Sequence, residues 1–199
     1  LNSFFLGFIS SLIALSRLDL VLLISPLHGY LIFNALIKKQ IKTSLALALP
    51  PIIIVGGYIL LIYMITGFPV PLSGVIKSNF PNIVHEIKLS TLLSKQIKYG
   101  ILAITITFIS VTGSSLLIKL VNKEFNLFKH KIFLKIIFLL LLGTIFHTLY
   151  HVLFSQIGSV GRWYFVVHLN VSILSISLFL YFLKIFFEKY FVNKNIIRK

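Results

Sequence analysis

Successive uncharged apolar runs decide what this chain can fold into. Leu20 to Ile37 and Thr43 to Ile76 carry no charged side chain, and Tyr99–Ile118, Ile136–Phe154 and Trp163–Leu183 are similarly free of charge. About 20 apolar residues in a helix cross a bilayer core, where every backbone group must find its partner within the chain. Repeated runs of that length predict an all-α, polytopic transmembrane helix bundle. At 58% hydrophobic and 12% charged residues, with a mean hydropathy of +1.02, the composition excludes an ordinary soluble domain.

The formal net charge of +15 would suggest nucleic acid on a soluble protein. Here the basic residues fall between apolar runs, where they orient the spans and meet anionic lipid; membrane lipids, and no nucleic acid, are the partners expected. The chain has no cysteine, which removes disulfides and thiolate metal sites. It begins at Leu1 without a basic segment before the first apolar run, and reads as a single transmembrane domain over residues 1–199, the C-terminal part of a larger membrane protein.

About six spans are expected, the first partial. Asn2–Leu15 ends in the turn Ser16-Arg17-Leu18-Asp19, and the second run closes at Lys38, Lys39 and Lys42. The third span is placed at Pro51–Thr66, with Pro50 at its start and Gly56-Gly57 allowing a close helix contact. A Pro/Gly loop from Thr66 to Pro81 follows. Asn82–Lys98 spaces its apolar residues as an amphipathic helix lying in the interface. A connector from Lys119 to Lys135 carries five lysines. Thirteen basic residues lie on one side of these spans and six on the other. The larger group belongs in the cytoplasm, together with the C-terminus. That places the Arg17–Asp19 turn, the Pro/Gly loop and the Arg162-Trp163-Tyr164 turn on the extracytoplasmic face.

Four groups on that face carry chemistry. Lys77, beside Ser73, Ser78 and exposed backbone, suits a phosphate, and equally an interfacial anchor. Arg17 and Asp19 are two residues apart and do not meet along one helix; each suits the helix end it occupies, Asp19 as a cap, and the pair also suits the lining of a polar cavity. Arg162 can reach a phosphate or snorkel, and Tyr164 sits with it at the head of the last span. His147 and His151, at i and i+4, share a helix face. Zinc needs further ligands, and only Asp19 and Glu86 are at hand, so hydrogen-bonded histidines inside the bundle are expected rather than a metal site. No P-loop, dinucleotide fingerprint or Ser–His–Asp spacing is visible.

Three stretches carry a resemblance. GFISSLIALSRLDLVLLISPL, TGFPVPLSGVIKSNFP and GRWYFV resemble the charged hairpin, the Pro/Gly/Lys loop and the Arg-aromatic entry of GT-C class glycosyltransferases, over residues 7–85 and 158–170. The resemblance implies an integral protein of a bacterial or archaeal plasma membrane. It would transfer a sugar from a polyprenyl-phosphate donor on the extracytoplasmic face. Lys77, Arg162, Ser73 and Ser78 would hold the donor phosphate. Arg17, Asp19, Tyr164, His147 and His151 would line the cavity, with Asp19 the one candidate for a catalytic role. The class carries its catalytic acid in a first extracytoplasmic loop that this chain lacks. No cofactor is demanded, and a divalent cation is left open. The competing classes are a transporter or flippase of an anionic lipid-linked substrate, with Pro26 and Gly56-Gly57 as flexible points, and a non-catalytic membrane subunit.

Overall fold

The computed structural model describes residues 2–68, 82, 95–121, 128–155 and 162–192. These form α1 (Ser3–Ser16), α2 (Leu20–Ile37), α3 (Ile41–Thr66), α4 (Lys95–Val121), α5 (Phe128–Phe154) and α6 (Val166–Phe187). A 3-10 turn (Arg162–Phe165) precedes α6 and a π turn (Glu188–Val192) follows it. Helices α2 to α6 are each long and apolar enough to cross a membrane, and α1 is a shorter apolar helix. The protein is an all-α, polytopic integral membrane protein. Ile52, Ile53, Met64 and Ile65 on α3 and Phe108 and Ile109 on α4 stand open, as residues facing hydrocarbon do.

The helices form two compact units, residues 1–97 with 142–161, and residues 98–141 with 162–199. In the first, α1, α2 and α3 pack against one another, and α2 and α3 both carry internal prolines. The third span was expected to begin at Pro51, yet α3 starts ten residues earlier at Ile41 and keeps Pro50 and Pro51 inside. A proline removes the N–H that would bond the carbonyl four residues back. For Pro51 that carbonyl is Leu47 O, which lies 3.2 Å from His28 Nε2, while His28 Nδ1 lies 3.1 Å from Ser10 Oγ. The imidazole thus substitutes for the missing donor and ties α2 to α1 and α3. Pro26 inside α2 is handled locally: Ser25 Oγ donates to Leu22 O at 3.2 Å, again the carbonyl four residues before the proline.

Gly56 and Gly57 do not make the close helix contact expected of them; a side-chain carbon at either meets nothing within 4 Å. Close backbone approaches are instead found at Gly7 and Gly143. A Cβ at Gly7 would lie 2.6 Å from Leu47 O, and one at Gly143 would lie 1.8 Å from Leu23 O. Backbones can come this near only where no side chain intervenes.

In the second unit, Val111, Ile118, Ile137, Leu178 and Phe182 form a buried apolar cluster. Thr107 Oγ1 and Ser172 Oγ, both buried, lie 3.0 Å apart and join α4 to α6. Tyr190 Oη donates to Leu120 O at 3.1 Å and fastens the π turn to the end of α4. Two further boundaries move. Lys119 belongs to α4, and Lys131 and Lys135 belong to α5, so the lysine-rich connector is shorter than its composition suggests. Of the expected amphipathic helix, Lys95–Lys98 form the first turn of α4; its remainder, apart from Asn82, lies outside the described residues.

Candidate functional site

The turn between α1 and α2 is very short. Arg17 leaves the helix in an extended conformation (φ −160°, ψ 120°), and Leu20 N, Val21 N and Leu22 N bond back to the carbonyls of Arg17, Leu18 and Asp19 at 3.0, 3.2 and 3.1 Å. Along a helix, residues two apart diverge. The extended Arg17 backbone instead turns its guanidinium onto Asp19: Nε donates to Oδ1 at 3.1 Å and a terminal nitrogen donates to Oδ2. Asp19 makes no side-chain cap to α2, because its oxygens serve this bidentate pair and two further donors.

Those donors come from α5. The close approach at Gly143 sets α5 against Leu23, one turn into α2. One and two turns beyond Gly143, His147 and His151 reach the start of α2. His147 Nε2 and His151 Nε2 lie 3.1 and 3.2 Å from Asp19 Oδ2. Their rings meet edge to face at 4.6 Å between centroids. His151 Nδ1 lies 2.8 Å from Ser155 Oγ. With the Nε2 proton directed at Asp19, Nδ1 is the acceptor and the Ser155 hydroxyl donates. Both imidazoles are buried, Asp19 is largely so, and Arg17 is about one-third exposed (32%).

Asp19 lies in the turn, outside the spans. Burial alone would raise its carboxyl. The hydrogen bonds from His147, His151 and Arg17, with the guanidinium charge, outweigh burial and hold the group well below the usual carboxylate range. It is a fixed negative charge that orients its neighbours, and a poor acceptor for a substrate proton.

Of the residues the sequence singles out, Arg17, Asp19, His147 and His151 are brought together. Both histidines contact Asp19 through their Nε2 atoms. Tyr164 is half-buried in the 3-10 turn of the second unit, and Arg162 opens that turn. Lys77, Ser73 and Ser78 lie outside the described residues. Sequence reasoning missed Ser155 and Gly143. The signal was present: Thr144, His147, Thr148, His151 and Ser155 repeat at three- and four-residue spacing in an otherwise apolar span, and all are buried. Such a stripe marks the interior face of a membrane helix. The second unit also holds an open apolar cavity of about 320 Å³ lined by Tyr99, Leu102, Ile106, Phe165, Leu169 and Ser172, among others.

No family model, curated protein or solved structure matches the chain.

Proposed function

We propose that this protein is a membrane glycosyltransferase moving a sugar from a polyprenyl-phosphate donor to an acceptor on the extracytoplasmic face of a bacterial or archaeal plasma membrane. The observation that supports this reading is the convergence on Asp19: the charged hairpin that resembles the GT-C class is the point that His147 and His151 reach from α5. Ionisable side chains held together at the end of membrane spans are expensive to assemble and mark function by default. In this reading Asp19 fixes Arg17 at the rim of the cluster, and Lys77 and Arg162, with Ser73 and Ser78, neutralise the leaving phosphate. Stabilising that charge in a poorly hydrated site is the main electrostatic contribution to transfer.

The test is transfer of radiolabelled sugar from polyprenyl-phosphate in membranes carrying the full-length protein. Lys77→Ala loses a charge-assisted hydrogen bond of about 1.5–3 kcal/mol, so transfer should fall roughly tenfold to a hundredfold. Lys77→Arg should recover part of it, because a planar guanidinium presents its donors differently. Lys88→Ala should match the wild type. Transfer unchanged in both Lys77→Ala and Arg162→Ala would reject the donor-phosphate assignment, and translocation of the lipid without transfer would put a flippase in its place.

A further inference from the structure

We propose that Asp19, His147 and His151 form a binding site for a divalent transition-metal ion of the zinc type, through Asp19 Oδ2 and the two Nε2 atoms. The first argument is geometric. These three atoms all lie within 4.8 Å of one another, with Oδ2 at 3.1 and 3.2 Å from the two nitrogens. Ligand atoms bound at about 2.0–2.1 Å in a tetrahedron lie about 3.3 Å apart; both oxygen–nitrogen distances already match this, and the two nitrogens, within 4.8 Å of each other, close on one another when an ion binds. The second concerns crowding. Oδ2 faces three nitrogens, from Arg17, His147 and His151, whereas Oδ1 has Arg17 Nε. A carboxylate oxygen offers about two lone-pair directions. An ion bound by Oδ2 and both nitrogens turns two competing N–H donors into ligands, and Arg17 Nε keeps Oδ1 and the carboxylate plane in place.

The third argument is the support behind His151. A metal-bound imidazole almost always donates its other ring N–H to an outer group that fixes its orientation. Ser155 Oγ stands 2.8 Å from His151 Nδ1 and takes that proton when the ring shifts to the other neutral tautomer. No net proton change is needed. Two imidazoles and one carboxylate leave a four-coordinate ion one position for an exogenous oxygen ligand, the pattern of catalytic rather than structural zinc. The proposal stands whether or not the protein transfers sugar.

The experiment uses the full chain, purified through a tag without histidines, in lipid nanodiscs. Metal content is measured directly, and the chelator-stripped protein is titrated with Zn²⁺ and with Co²⁺. About one ion per chain is expected, with the intense visible absorption of tetrahedral Co(II). His151→Gln and Asp19→Asn should each abolish the cobalt spectrum. Ser155→Ala should weaken binding about 10–100-fold, as loss of an outer-shell partner does. His28→Gln, which alters a half-buried histidine elsewhere in the same unit, should leave binding intact. Because the wild-type spectrum is read without any substitution, variants that fail to fold do not spare the proposal. A stripped wild-type chain that gives no tetrahedral cobalt spectrum, or one whose spectrum survives in both ligand variants, overturns it.

Discussion

Gly143→Ala should disassemble the site without touching any of its polar residues. The added Cβ would lie 1.8 Å from Leu23 O, 2.7 Å from Leu23 C and 3.0 Å from Leu23 Cα, whereas ordinary contact begins near 3.4 Å. All three atoms are backbone, so no rotamer change relieves the clash. The helices must part by the difference between 3.4 and 1.8 Å, about 1.6 Å. An opening of that size carries the 3.1 and 3.2 Å contacts of His147 and His151 with Asp19 past hydrogen-bonding range. Overpacking costs about 1–3 kcal/mol. Each lost hydrogen bond to the carboxylate adds about 1.5–3 kcal/mol, less what water or rearrangement recovers, so a total of at least about 3 kcal/mol is expected. The assay is thermal or denaturant unfolding of the purified protein in detergent. Gly29→Ala, at an exposed helical glycine with nothing within 4 Å, is the control and should be neutral or slightly stabilising. Equal stability of the two variants would refute the close α2–α5 approach from which the site is built.

In the second unit, Ser172→Ala removes the hydroxyl that bonds Ala103 O at 2.9 Å and meets Thr107 Oγ1 at 3.0 Å. Interhelical hydrogen bonds in membranes average about 0.6 kcal/mol and reach about 1.7, so a loss within that range is expected by the same unfolding assay. A cost above about 3 kcal/mol would mean that Ser172 does more than join α4 to α6. For topology, single cysteines placed at Lys77, Lys39 and Lys131 in this cysteine-free chain are treated with an impermeant thiol reagent in intact cells. Labelling at 77 and protection at 39 and 131 are expected; the reverse pattern would invert the orientation.

The bundle was legible because length and absence of charge identify membrane spans almost without regard to residue order. Leu20–Ile37 shows this, since its ends are set by Asp19 and Lys38 and coincide with α2. Boundaries failed where a rule from water was applied within a membrane. Pro50 and Pro51 looked like a helix start, but His28 satisfies the carbonyl that Pro51 leaves without a partner, and α3 continues through both. The glycines misled for a related reason. Composition cannot tell which glycine faces another backbone, so Gly56-Gly57 drew attention while Gly143 makes the contact. Half of the site was readable: the Arg17–Asp19 turn and the i, i+4 histidines each stood out. Their meeting was not, because it depends on a crossing between helices more than 120 residues apart, set by one glycine inside an apolar run. Nor was the role of Asp19, whose oxygens go to Arg17, His147 and His151 instead of capping α2.

The most direct test of the central claim, that the α1–α2 turn and α5 meet at Asp19, is proximity cross-linking in the cysteine-free background. Asp19→Cys is paired with His151→Cys in one variant and with His28→Cys in another, and a short bifunctional thiol reagent is applied to intact membranes. Linked peptides are then read by mass spectrometry after proteolysis. The 3.2 Å side-chain contact predicts efficient linkage for the first pair. The second pair is separated by nine residues of helical rise, about 13 Å, beyond a short reagent's reach. Absence of the 19–151 link, with both thiols shown to be reactive, would contradict the account.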